Sequence, residues 1–212
     1  MTLPRLDFRA GGNGMPTEQQ SPVRSDPGGT PTVQEEIWAV YCGDINAANT
    51  AKLVQGITTL GVQGTKRLHL LFQSWGGFVG DGIFLYNALR KFPVEVVLYN
   101  AGQVASAATL AFLGAHTRKT TANAVFMIHK SHTSPNGAGA ERLKAAADNL
   151  AMDDARVESI LRTHLRLTEE LWTQFAYHDV FLSGEDAVKY GMADEIGEFS
   201  PPVGIRVLNA LG

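Results

Sequence analysis

Residues 68–99 read LHLLFQSWGGFVGDGIFLYNALRKFPVEVVLY, and three patterns follow one another in that stretch. Leu68 to Phe72 is a short apolar run of the length expected of a buried strand. Trp75-Gly76-Gly77 interrupts the chain. Ile83, Leu85, Tyr86 and Leu89 then form the apolar side of a helix that ends ahead of Pro93, and Val94 to Tyr99 reads as a further strand. Strand, helix, strand is a βαβ unit, which places the chain among α/β domains and away from sandwiches and bundles.

The same alternation extends both ways. Upstream, Ile37 to Cys42 reads as a strand, and Asn46 to Leu60 carries Leu53, Ile57 and Leu60 at the spacing of one helix face. Downstream, Gly102 to Ala108 is rich in small residues and runs into Leu110, Phe112 and Leu113, a turn followed by a buried helix. Ala124 to His129 is another short strand. From Glu141 to about Leu165 lies the strongest helix former of the chain, with Leu143, Ala147, Leu150, Val157 and Leu161 as its apolar side. At 1.5 Å per residue it spans about 37 Å, more than a domain of this size covers with its own surface, so it protrudes or packs on a partner. Thr168 is placed to cap a helix over Glu169 to Phe175, and Ser183 with Asp186 to cap another that stops at Gly191.

Residues 1–35 differ from all that follows. They hold five of the nine prolines, five glycines and only scattered apolar side chains. Such composition predicts a disordered or extended arm, leaving 36–212 as the folded domain. The whole chain has 212 residues, 44% hydrophobic and 18% charged, which suits one folded domain and excludes a wholly disordered protein. A net charge of −3 gives no basic face for nucleic acid. The longest apolar runs, such as Val104 to Gly114, fall well short of the roughly 18 residues that span a bilayer. Cys42 has no partner for an internal disulfide, and no secretory signal is read at the N-terminus, so the expected location is cytoplasmic.

Four segments offer the parts that amide hydrolysis needs: a nucleophile, a base, a group that fixes the base, and donors for the developing oxyanion. Ser106 stands between alanines at a helix start, where its hydroxyl is accessible; a plain helix cap would look the same. His129 ends an apolar strand, and His132, three residues on, competes with it as the reactive imidazole. No carboxylate or cysteine near the two supplies a third metal ligand, so no metal or other cofactor is expected. Asp179 precedes Val180-Phe181, where a carboxylate facing a histidine and a surface turn are both compatible with the pattern. Gly76 and Gly77 follow a strand, and without side chains they allow close backbone approach and leave N–H groups available.

Taken together and in order, these segments resemble the ClpP family, the proteolytic subunits of ATP-dependent Clp proteases, serine peptidases of the crotonase-like superfamily. Ser74-Trp75-Gly76-Gly77 is similar to the family's SPGG, and Gly102-Gln103-Val104-Ala105-Ser106 to its GQAAS. Val125 to His129 is similar to its MIH strand, Asp179 to Ser183 to DRFLS, and Ala187 to Gly191 to AxEYG. The resemblance covers about residues 36–198. It implies a fold of repeated ββα/βαβ units with a protruding handle helix, here the helix from Glu141. It also implies a Ser-His-Asp triad of Ser106, His129 and Asp179, oxyanion donors at Gly77 and Ala107, and substrate contacts at Gly76 and Phe78. Polypeptide substrates, heptameric rings stacking as a tetradecamer, and an AAA+ unfoldase partner follow from the same resemblance.

The departures are specific. Ser106-Ala107-Ala108 stands where the family has Ser-Met-Gly, and Trp75 where it has proline. The run after His129 lacks Gln-Pro, and residues 1–35 do not match the family's axial loops. Three alternatives therefore stay open: an acyl-CoA enzyme of the crotonase type, a serine–lysine peptidase using Lys119 or Lys130, and a non-catalytic ClpP-like subunit that assembles or regulates an active one.

Overall fold

In the computed structural model, which describes residues 35–211, the strand–helix alternation resolves into two sheets that exchange the chain between them. The elements run β1 (Glu36–Cys42), α1 (Ala47–Val62), β2 (Arg67–Gln73), α2 (Val79–Leu89), β3 (Glu95–Asn100), β4 (Gln103–Ala105), α3 (Ala107–Leu113) and β5 (Thr117–Thr120). They continue with β6 (Val125–Ile128), α4 (Ala140–His164), α5 (Glu169–Tyr177), β7 (Val180–Ser183), α6 (Gly184–Tyr190), β8 (Glu195–Ile196) and β9 (Val207–Asn209). The arm expected over 1–35 lies outside the described residues except for Glu35, whose carbonyl accepts the N–H groups of Lys66 and Arg67.

One sheet has the order β8-β5-β3-β2-β1-β9 and all its recorded pairings are parallel. The other has the order β4-β6-β7, parallel between β4 and β6 and antiparallel between β6 and β7. The chain passes from the first sheet to the second at β3–β4 and again at β5–β6, then returns through α6. Those handovers bring the end of β4, the end of β6 and the start of β7 to one place.

The long strands alternate as a half-buried sheet should. In β2, Leu68, Leu70 and Phe72 are buried, joining Leu53 and Ile57 of α1 and Leu85 and Leu89 of α2 in one apolar cluster. Burying each such side chain is worth about 1.5–3 kcal/mol. On the opposite face, Trp38 stacks on His69 with ring centroids 4.0 Å apart, and Phe199 meets Trp38 and Tyr99 edge-on. The Tyr99 hydroxyl lies 2.9 Å from His69 Nδ1.

The anticipated caps are present. The Thr168 and Ser183 side chains accept the N–H groups of Leu171 and Asp186, and Gly191 closes α6 in the left-handed conformation; Asn46, not among the expected caps, accepts the N–H of Asn49 at the start of α1. Two expectations need correction, and one strand was not anticipated. Gly102 to Ala108 is not only a turn, because Gln103–Ala105 forms a strand against both Ser74 and β6. β5 has no apolar alternation to announce it. It forms by parallel pairing of Thr117–Thr120 with Val97–Asn100 of β3, and on its other edge Lys119 lies opposite Glu195 of β8, their charges 2.8 Å apart, while Arg118 pairs with Asp194. Finally, α4 buries only Val157 and Leu161; Leu143 and Ala147, expected on its apolar side, are exposed, and Leu150 is half-buried.

Candidate active site

The turn between β4 and α3 is built around Ser106, whose φ of 55° makes it the one non-glycine residue with positive φ among the described residues. Such a conformation costs about 1–3 kcal/mol and persists only where the surroundings enforce it. Here they do. The Ser106 N–H donates to the Met127 carbonyl at 2.7 Å, and its own carbonyl accepts both the N–H and the hydroxyl of Thr109. Ala105 N–H donates to the carbonyl of Ser74, which ties the turn to the end of β2.

That end is the Trp75-Gly76-Gly77 segment, and both glycines are required by close approach. A Cβ on Gly76 would sit 2.6 Å from the Cβ of Ser106, and one on Gly77 2.1 Å from the carbonyl oxygen of Ile45. Ser74, buried, accepts the Gly76 N–H on its hydroxyl. Ile45 donates to Gly76 and accepts from Phe78, so Gly77 is the bridging residue whose own N–H is turned away from Ile45. Ala107 opens α3, so its N–H has no carbonyl a turn earlier in the helix to bond.

His129 leaves the end of β6 and brings Nε2 to 2.8 Å from Ser106 Oγ. The β6–β7 register pairs Met127 with Phe181 and Ile128 with Val180, so one step further sets His129 against Asp179. Asp179 is exposed; its carbonyl accepts from Gln174, and among the described residues its carboxylate forms no hydrogen bond with His129. His132 faces His129 with ring centroids 5.2 Å apart.

The chain beyond His129 is held against α4. Lys130 Nζ pairs with Glu158 at 2.8 Å, and Ser131 N–H donates to Asp154 at 2.7 Å. The hydrogen bonds from Lys130 and Arg162 hold the Glu158 carboxyl below its ordinary range. Lys119 is likewise engaged, its ammonium kept charged by Glu195. Both lysines of the serine–lysine alternative are therefore committed to carboxylates.

A cavity of about 370 Å³ opens beside the Ser106–His129 pair. Gly77, Phe78, Ser106, Ala107 and His129 line it, whereas Gly76 packs behind Ser106 and Asp179 stands outside the lining. Phe78 is 71% exposed at its rim. Asn149 and Asp153 of α4 also line it, and sequence patterning missed them. Their signal was available: they continue the i, i+4 series of Val157 and Leu161 with polar residues, where a core-facing stripe would stay apolar. Among the described residues no group of three His, Cys, Asp or Glu is placed to hold a metal, and no helix is long and apolar enough to cross a membrane.

Comparison with known proteins shows what the chain resembles. The family model described as Clp protease matches residues 32–200. The ATP-dependent Clp protease proteolytic subunit 2 of Pseudomonas aeruginosa is 24% identical over 156 residues, 73% of this chain and 77% of that protein. Proteolytic subunit 1 of Streptomyces avermitilis is 29% identical over 133 residues, covering 62% of this chain and 61% of that one. Among solved structures, a ClpP1 mutant from Listeria monocytogenes superposes with a TM-score of 0.64 at 21% identity, over 78% of this chain and 92% of the other. That likeness shows a ClpP-like fold.

Proposed function

Since the chain belongs to the Clp protease family, we propose that it is a serine endopeptidase using Ser106, His129 and Asp179 within an oligomeric chamber. The observation that carries this reading is the 2.8 Å separation of Ser106 Oγ and His129 Nε2 at the wall of a cavity. His129 Nε2 takes the Ser106 proton as Oγ attacks the peptide carbonyl carbon. The carbonyl oxygen, now an anion, is received by the N–H groups of Gly77 and Ala107. Asp179, opposite His129 across the ladder, steadies the imidazolium and keeps its other nitrogen protonated. The imidazolium then passes the proton to the leaving amine. Water, deprotonated by His129, hydrolyses the Ser106 ester and releases the carboxylate product.

Assembly is the companion proposal. The N-terminal half of α4 is exposed and carries Leu143 and Met152, 48% and 55% exposed on opposite sides of the helix, apolar surface that a second copy could cover. Rings of seven that stack in pairs, an AAA+ unfoldase as feeder of polypeptides, and a cytoplasmic location complete the reading by analogy with the family. A non-catalytic subunit is the second reading, favoured by the exposed Asp179 carboxylate that forms no hydrogen bond with His129.

Intact mass after treatment with a fluorophosphonate, on wild type and Ser106→Ala, decides between them, with native mass reporting the assembly. A single adduct that vanishes in the variant is expected. A well-assembled oligomer without an adduct would favour the non-catalytic subunit.

A further inference from the structure

The cavity beside Ser106 is apolar on most of its inner surface: Leu110, Ile128, Val157 and Leu161 line it and are all buried. Setting its two imidazoles aside, the lining residues carry one formal charge, the carboxylate of Asp153. Asp153 sits one helical turn outward from Val157, and its side chain is 18% exposed. Its two oxygens differ. Oδ1 accepts from Arg156 Nη1 at 3.1 Å, while Oδ2 has only the Asn149 amide at 3.5 Å, at the limit of a hydrogen bond. Arg156 is nearly half exposed, so its hold on Oδ1 is the weak, solvated kind.

Resting on the peptidase reading, we infer that this cavity selects peptides with lysine or arginine at the residue whose carbonyl Ser106 attacks, with Asp153 as the specificity-determining residue. The methylene stem of such a side chain covers the apolar wall, and its charged end reaches Asp153 Oδ2. Arg156 keeps Oδ1, so the incoming cation adds a partner without displacing one. An aliphatic side chain of similar length fills the wall but leaves Oδ2 without its charged partner. A glutamate meets like charge in a site partly shielded from water, where the repulsion is stronger than in bulk.

The test uses fluorogenic peptides identical except for Lys, Met or Glu before the scissile bond, with the assembled wild type and Asp153→Asn, and with fluorophosphonate labelling of Ser106 run on the same samples. For wild type the kcat/KM ratio of Lys to Met is expected to be roughly ten, equivalent to about 1.4 kcal/mol, with Glu slowest. Asp153→Asn brings the Lys-to-Met ratio to about one, and Asp153→Lys puts Glu ahead of Lys. Independently of any variant, the wild-type ratio falls as salt is raised. Labelled Ser106 with a Lys-to-Met ratio near one in wild type overturns this inference alone, as does a ratio unmoved by Asp153→Asn. No adduct and no cleavage of any of the three peptides overturns the peptidase reading and this inference with it.

Discussion

Ser106 Oγ and His129 Nε2 stand 2.8 Å apart although 23 positions separate the two residues in sequence. The parallel β4–β6 pairing closes that gap: Ala105 lies opposite Met127, and the Ser106 N–H bonds the Met127 carbonyl, so the serine and the histidine leave neighbouring strands at the same end. Any change that shifts this register moves the nucleophile relative to its base.

The positive φ of Ser106 predicts an unusual ordering of variants. Ser106→Ala keeps the strain and loses the hydroxyl, so it is expected to abolish labelling with little change in stability. Ser106→Gly relieves the strain and is expected to be more stable than Ser106→Ala by about 1–3 kcal/mol in urea unfolding, because glycine reaches this conformation freely. Equal stability of the two would show that the turn is not strained.

Asp179 is exposed, so replacing it should touch rate and not folding. On the proposed triad, Asp179→Asn is expected to lower kcat by roughly 10³- to 10⁴-fold, because the imidazole would lose the carboxylate proposed to fix its tautomer in the working enzyme. The unfolding midpoint should move by no more than about 0.5 kcal/mol equivalent. A rate within a factor of about two of wild type would mean that another group orients His129.

Three glycines of one segment should respond differently to alanine. Gly77→Ala drives a Cβ into the Ile45 carbonyl, and Gly76→Ala drives one against Ser106. Both are expected to destabilise by more than about 2 kcal/mol, and any residual fold of Gly76→Ala to carry a displaced Ser106 that labels poorly. Gly80, inside α2, has open space where its Cβ would be. Gly80→Ala is expected to stabilise by about 0.5–1 kcal/mol, measured by thermal and urea unfolding. A stabilised Gly77→Ala would contradict the close approach.

His69 and His164 both have their pKa lowered by burial, against a smaller upward pull from Glu36 on His69 and from Asp194 on His164. Each is held neutral in the fold, so on acidification the unfolded chain binds its proton first and stability falls. The loss begins as pH drops through the ordinary histidine range, near 6.5, and is complete once the lowered folded value is passed. Urea unfolding from pH 7.5 to 5 is expected to show this slope, and His69→Phe, which keeps an aromatic ring beside Trp38, to reduce it. An unchanged slope in that variant would remove His69 as a cause.

Much of the scaffold was legible because it depends on local pattern. The first three strands, α1, α2, the long α4 and the caps at Thr168 and Ser183 follow from apolar spacing and from side chains that satisfy helix N-termini. β5 and β8 were not legible: their residues are charged or too few, and they become strands by pairing with distant segments, β5 with β3 and β8 with β5, where Lys119 and Arg118 meet Glu195 and Asp194. The length of α4 already implied that part of it goes uncovered by this chain, but spacing did not tell which part, and the structure leaves Leu143 and Ala147 exposed.

For the site the division is sharper. The sequence by itself determined the residue types and their order: a serine between small residues, a histidine closing an apolar strand, a paired glycine after another strand, and an aspartate before a third. Only the tertiary structure decided that Ser106 meets His129, that the β6–β7 register sets Asp179 opposite His129, and that α4 turns Asp153 into the cavity. The reason is physical. Local pattern governs which backbone hydrogen bonds a segment can make within a few residues, whereas the meeting of distant side chains depends on register between strands and on which faces pack, and those are fixed only when the whole core is buried.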